Sequence, residues 1–482
     1  MFARQALRLT TIAVLLAACG GDSSTGPSGP SGPPVLSSIN GATAPSGPIG
    51  STVSVEGENF GDTQGSSQIF FSDGLGGTIP AVIASAGDWT NTFILTTVPS
   101  GAATGDVVVQ TSLGTSGPLT FTVTDAATFS PSTISWTATT ALPTGRSGHA
   151  TAFAQLEGQP TTRVVYSVGG ADAINAPLSE VHYATVGADG TLGAWTATAA
   201  LPAGLAFHGL VVATPANSQI TAPGYLYVLG GSTDAAGTPT ASIYRGSLAA
   251  DGSVTSWSQV TSLPAPLHSM GAVIFQGDLY VFGGATTDNA PVANVYRAAI
   301  ETGGGLGAWQ SQAGLPFGRA YFGFGTFGGY LYTFGGDSGA VAPNSGSLTS
   351  SAINDVSYAK IDIRTGDLTI AGWTTNSSSL TKATSKHTAV VAGGNVLITA
   401  GLYNGASTGS SEQSYAQLNA DGSVGSFNGA TGANTIFSLG GGNLFNHAAT
   451  GYTDGSGAFR VLVAGGDDVN LPGTKHTGVF FY

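Results

Sequence analysis

Residues Tyr225–Gly231 read "YLYVLGG", an apolar and aromatic run stopped by two glycines. The same pattern recurs as "VVYSVGG" ending at Gly170, "LYVFGG" at Gly284, "YLYTFGG" at Gly336 and "RVLVAGG" at Gly466. A weakened copy, "VLITAG", ends at Gly401. Short runs of β-branched and aromatic residues bounded by glycine read as strands. The copies lie 52 to 65 residues apart, a period that, built from strands, predicts small sheets repeated around an axis.

A second marker keeps step with the first. An aromatic follows a turn in "GTLGAW" (Trp195), "GSVTSW" (Trp257), "GGLGAW" (Trp309), "LTIAGW" (Trp373) and "GSVGSF" (Phe427), with Trp136 as an earlier member. Asp-Gly in "GADGT", "AADGS" and "NADGS" predicts tight hairpins. A strand ending in Gly-Gly, a downstream Trp and then Leu-Pro resemble the kelch repeat across the whole of 133–482. The resemblance implies a β-propeller, with the Trp wedged between blades. Six innermost strands are expected near His149, His208, His268, Tyr321, His387 and His447, hence six blades. The last unit, "TKHTGVFFY", has no fourth strand, and "STISWTATTALP" before the first unit is one strand too many. Pairing Ile134–Thr140 with Val479–Tyr482 is expected to close the ring and satisfy both bare edges.

Three histidines follow a Leu-Pro: "LPTGRSGHATAF" from Leu142, "LPAGLAFHGLVV" from Leu201 and "LPAPLHSMGAVIF" from Leu263. In the kelch-like alignment His149, His208, His268, His387 and His447 share one place in five blades, and Tyr321 takes it in the fourth. Innermost strands line the channel of a propeller, so these side chains are expected at one channel mouth, with Arg146 and Arg319 beside them. A repeat also copies any tolerated residue without a use for it. The candidate ligand contacts are therefore Arg146, His149, His208, His268, Arg319, Tyr321, His387 and His447, supported by rim loops 171–177, 232–238, 285–291 and 337–350.

Upstream, residues 35–124 alternate short strand-like runs ("STVSVEGENFG", "SQIFFSDG", "TFILTTVPSG", "GDVVVQTSLG", "LTFTV") with turn residues. That texture predicts a β-sandwich. The order of its elements resembles the IPT/TIG family of immunoglobulin-like domains, which implies a spacer or adhesive module. The expected fold is thus all-β, a small Ig-like sandwich followed by a six-bladed kelch-type propeller.

The first 18 residues carry Arg4 and Arg8 before the apolar run Ile12–Ala18, a secretory layout. Leu16-Ala17-Ala18-Cys19 resembles a bacterial lipobox, which implies cleavage before Cys19 and lipid on that residue. Residues 19–34, rich in Gly, Ser and Pro, read as a tether. Gly20 behind the cysteine implies export to the outer membrane or cell surface in a Gram-negative cell.

Cys19 is the one cysteine of 482 residues. Net charge is −13; losing Arg4 and Arg8 leaves 11 basic against 26 acidic side chains, or −15. Phosphate backbones repel such a surface, so no nucleic-acid partner is expected. The Tyr–Cys copper chemistry of galactose oxidase-like kelch proteins needs a cysteine this region lacks. No cofactor, metal site or catalytic residue is assigned. The expected role is a lipid-anchored binding or adhesion protein recognising a glycan or surface protein. The alternatives are a sugar-active kelch enzyme of the sialic-acid mutarotase kind, or a structural surface protein.

Overall fold

The computed structural model describes residues 31–482, apart from 43–44, 49–50, 75, 84–85, 100–101, 125–128, 130, 157–161, 216, 219, 221–222, 276, 346–350, 363–364, 404–409, 420, 430–443, 457, 469–470 and 472. The secretory segment, Cys19, most of the tether and the end of the loop 337–350 lie outside the described residues. Among those described there is no α-helix, and none is long and apolar enough to cross a membrane. The chain divides into two compact units, Met1–Thr124 and Asp125–Tyr482.

In the first unit two sheets share one core. One contains Val35–Ile39, Thr52–Glu58, Phe93–Thr97 and Trp89–Thr90. The other runs Ser46–Pro48, Leu119–Thr124, Gly105–Thr111, Gln68–Ser72 and Thr78–Pro80. Residues two apart on a strand share a face, so Ile69 with Phe71 and Val107 with Val109 all point inward. They meet Ile39, Val55 and Ile94 of the first sheet.

The second unit is a propeller-like β fold made of antiparallel sheets. Sheet 1 holds Ala150–Leu156, Thr162–Val168, Val181–Thr185 and Thr196–Ala197. Sheet 2 holds Gly209–Ala213, Tyr225–Leu229, Ile243–Leu248 and Val254–Gln259. Sheet 3 holds Gly271–Phe275, Asp278–Phe282, Val295–Ala299 and Gln310–Ser311. Sheet 4 holds Gly323–Phe327, Tyr330–Phe334, Val356–Ile361 and Leu368–Thr375. Sheet 5 holds Thr388–Ala392, Asn395–Tyr403, Ser410–Gln417 and Asn428–Gly429, with Thr384–Ser385 beside the second strand. Sheet 6 is built from both ends of the unit. Ala448–Thr453, Phe459–Ala464 and Val479–Phe481 come from the end of the chain, and Thr137–Ala138 from the start of the unit. Thr137 lies opposite Phe481 and Ala138 opposite Phe480.

The first strands of the sheets touch in a closed cycle, from sheet 1 through sheet 6 and back to sheet 1. A cavity of about 450 Å³ lies among them, lined by Thr151, Phe153, Leu210, Val212, Ile274 and Thr326. Tyrosines tie neighbouring sheets near their outer turns. Tyr166, Tyr227 and Tyr280 donate to the carbonyls of Gly252, Gly304 and Gly366, each in the next sheet. Two indoles do the same: Trp257 Nε1 reaches Ala199 O (2.8 Å) and Trp373 Nε1 reaches Ala313 O (3.0 Å). These five donors are thereby satisfied while large rings fill the gaps.

The glycine doublet earns its place by conformation. Gly169, Gly230, Gly283, Gly335 and Gly465 all sit at φ between 55° and 60°, a left-handed region that costs other residues about 1–2 kcal/mol. A Cβ on Gly230 would also meet Leu267 O at 2.4 Å and Met270 Cε at 2.6 Å. In the weakened copy Ala400 takes the same conformation, at φ 51°.

Candidate functional site

At one end of the cavity the chain enters each first strand through a residue with positive φ. These are Gly148, Phe207, Ser269, Tyr321, Lys386 and Asn446, at 51° to 57°. Their backbones form a closed hydrogen-bonded ring. Phe207 N donates to Gly148 O, Ser269 N to Phe207 O and Tyr321 N to Ser269 O. Lys386 N then donates to Tyr321 O, Asn446 N to Lys386 O and Gly148 N to Asn446 O, all at 2.6–3.2 Å. Five of the six are not glycine, and a bulky residue at φ > 0 is strained. The ring bonds, each worth about 1 kcal/mol net, offset part of that strain.

This ring sorts the expected site residues. The residue after each ring member immediately precedes the first strand, and there stand His149, His208, Met270, Phe322, His387 and His447. Their side chains turn into the seam with the preceding sheet, not toward an open mouth. Ideal Cβ positions on Gly465, Gly169 and Gly335 would lie 2.6–3.0 Å from Cε1 of His149, His208 and His387. Met270 and Phe322 fill the same seam against Gly230 and Gly283. His387 Nε2 accepts from Gly323 N (3.1 Å), and His447 Nε2 meets Thr388 Oγ1 and Thr399 Oγ1, both at 2.9 Å. Among the described residues neither ring nitrogen of His149 has a hydrogen-bond partner. Burial disfavours the charged imidazolium, holding His208 and His387 at about 4 and His447 at about 3; His149 is likewise pushed well down.

The common place given to five histidines therefore needs correction. His268 stands two residues earlier, level with Ser147, Ala206 and Ala320, as its bridge to Ala285 shows. Tyr321 is a ring member, not the counterpart of the histidines. Counting seven residues from the leucine of each Leu-Pro reaches His149, His208, Met270 and Phe322 without a gap. That count was available in the sequence, but the identity of His268 obscured it.

Arg146 and Arg319 are also placed elsewhere than expected. Both are fully buried and turned into their own sheets. Arg146 pairs with Glu180 and donates to Gly169 O at 3.1 Å. Arg319 pairs with Asp355 and lies 3.4 Å from Gly335 O. Each ties the end of a second strand to the start of a third. Burial lowers both guanidinium pKa values, against the opposing pull of the carboxylate.

What remains at the mouth is a different set. Phe207 and Tyr321 stand edge to face, 6.5 Å apart, on a floor of Ala171, Ala206, Ala285 and Ala320. His268, wholly buried, joins them with its ring 6.0 Å from Tyr321, Nδ1 3.1 Å from Ser269 Oγ and Nε2 3.2 Å from Asn289 Oδ1. Lys386 and Asn446 complete the set. Lys386 Nζ lies 5.1 Å from the Tyr321 ring centroid and within bonding distance of Ala342 O and Pro343 O (both 3.0 Å) and Ser345 O. Desolvation by burial brings its pKa down to about 7, with Asp467 and Asp337 pulling upward and Lys475 downward. Asn446 Nδ2 donates to Pro343 O and Asp467 Oδ2, both at 3.1 Å. Asp467 is ion-paired with Lys475. Three kinds of donor, an ammonium, a phenol and an amide, thus converge here from three sheets. Among the described residues no cluster of three or more His, Cys, Asp or Glu is arranged to hold a metal ion.

No family model and no curated protein matches the chain. Among solved structures it is similar to one titled "Structure of YjhT", at 13% identity and a TM-score of 0.49, over 71% of this chain and 96% of that one. At that level the likeness assigns no role to any residue here.

Proposed function

We propose that this chain is a lipid-anchored protein of the cell envelope whose head, a six-bladed kelch-type propeller, binds a glycan or protein ligand at the mouth described above. Cys19 carries the lipid, and the first unit is an IPT/TIG-type, immunoglobulin-like sandwich. Six sheets whose first strands close a cycle support the blade count, and two sheets sharing one core support the sandwich. The observation that carries the binding reading is the convergence of Tyr321 Oη, Lys386 Nζ and Asn446 Nδ2 on one cluster of acceptors. Packing alone does not call for a buried ammonium, and burying one costs free energy. Strained backbone beneath polar groups is also where binding sites concentrate.

A second reading, a sugar-active enzyme, has one observation in its favour. A buried lysine near neutrality is suited to moving protons, and Lys386 is such a group. The seam histidines are not, because they are enclosed between sheets.

The test is a thermal-shift panel on the full chain with neutral hexoses, amino sugars, uronic and sialic acids and short peptides. One class is expected to raise Tm in proportion to its concentration, and Lys386→Met is expected to abolish the shift. Turnover of that ligand, lost in the same variant, would replace binding by catalysis. No shift with any member, together with no retained envelope glycan or protein, would sink both readings. Anchoring has its own test: incorporation of a fatty-acid probe is expected to vanish in Cys19→Ser, and unchanged labelling would refute it.

A further inference from the structure

The mouth donors already hold something, and it is part of this chain. The carbonyl of Val341 accepts from Tyr321 Oη (2.8 Å), those of Ala342 and Pro343 from Lys386 Nζ, and that of Ser345 from the same ammonium. Pro343 O also accepts from Asn446 Nδ2. Asn344 Nδ2 crosses to Ala235 O of the sheet 2 loop (3.0 Å), and Pro343 packs against Gly237 there. Val341 joins the apolar layer of Phe207 and Tyr321. What the Tyr321, Lys386 and Asn446 donors grip is therefore a row of main-chain oxygens.

We infer that residues 341–345 are a lid, an internal occupant of the mouth, and that a ligand reaches the Tyr321, Lys386 and Asn446 donors by displacing it. The inference rests on the binding reading above and adds its regulation: affinity is set by competition with a tethered segment. A segment fixed at both ends by the same chain has a high effective concentration. Even a weak internal occupant then masks the site. The ligand class that competes is one presenting spaced acceptor oxygens to an ammonium, a phenol and an amide.

The test replaces Val341–Ser345 with Gly-Ser-Gly-Ser-Gly in the full chain and uses as probe the blocked peptide Ala-Val-Ala-Pro-Asn-Ser, the sequence of residues 340–345. The peptide is expected to bind the lid-replaced protein at least tenfold more tightly than the parent, and to lose that binding on Lys386→Met in the same background. Equal affinity for parent and lid-replaced protein, with both folded by circular dichroism, would overturn the lid. If the replacement fails to fold, amine acylation of the native parent decides. Lys386 is expected to be labelled through local opening, without loss of fold. Labelling only at denaturant concentrations that unfold the chain would overturn the inference. Neither arm uses the natural ligand, so an empty panel leaves the lid standing, and a failed lid leaves the panel result intact.

Discussion

Lys386 and His387 are neighbours in sequence and belong to two different regions of the molecule. His387 turns into the seam between sheets 4 and 5, at a position that His149, His208 and His447 share and that Met270 and Phe322 fill equally well. Lys386 turns into the mouth, at a position held in the other sheets by Gly148, Phe207, Ser269, Tyr321 and Asn446. The seam repeats histidine in four of six sheets, and the mouth repeats nothing. Repetition marks what every sheet needs for packing; the position that differs in each copy is where specificity is built. The four seam histidines, which attract attention first, are packing. The lysine beside one of them is the better candidate for function.

Acid should break the seam first, and this is the largest expected effect. The folded pKa values of His208, His387 and His447 lie below the usual value of 6.5, at about 4, 4 and 3. Above pH 6.5 both folded and unfolded forms are neutral and the seam is intact. Between 6.5 and the folded values the unfolded chain binds more protons, so stability falls with pH. Three groups at about 3–5 kcal/mol each sum to about the whole stability of a domain. Acid unfolding of the full chain, followed by tryptophan fluorescence, is expected between pH 6 and 4. A native signal persisting at pH 3.5 would contradict the enclosed imidazoles.

The buried arginines come next. Arg319→Met leaves Asp355 partly buried without its cation, and is expected to cost about 3 kcal/mol in urea unfolding. Ligand affinity should not change, since Arg319 braces its own sheet. Lost affinity at unchanged stability would return it to the mouth.

His208→Met is a sharper probe because sheet 3 already uses methionine there. Stability at pH 7 should change by less than about 1.5 kcal/mol, while the acid-unfolding midpoint moves to lower pH. A midpoint unmoved by the substitution would remove His208 from the titrating set. The smallest effect concerns the one doublet without its first glycine. Ala400→Gly relieves left-handed strain at φ 51° and should stabilise by about 1 kcal/mol, read as a raised urea midpoint.

Much of the fold was legible because the repeat states it six times. The Gly-Gly runs, the indoles and the unpaired third strand at "GVFFY" together located the sheets. The pairing of 137–138 with 480–481 falls within the strands expected for it. The site was less legible. Leu-Pro fixes register by count, but His268 drew the alignment two residues off because its identity outweighed its position. Lys386 and Asn446 gave no signal, since no local pattern announces a non-glycine at positive φ. Lys386 meets its partners 41 to 44 residues away in sequence, through backbone oxygens that carry no residue identity. The two arginines looked like ligand contacts because their carboxylate partners lie more than 30 residues downstream.

The most direct measurement compares the two neighbours in one experiment. Once the panel yields a ligand, its affinity is measured by calorimetry for the parent, Lys386→Met and His387→Met, with urea unfolding of each alongside. The account predicts that Lys386→Met loses at least tenfold in affinity while remaining folded, and that His387→Met binds as the parent does. A His387→Met protein that is folded but no longer binds, beside a Lys386→Met protein that binds normally, would contradict it.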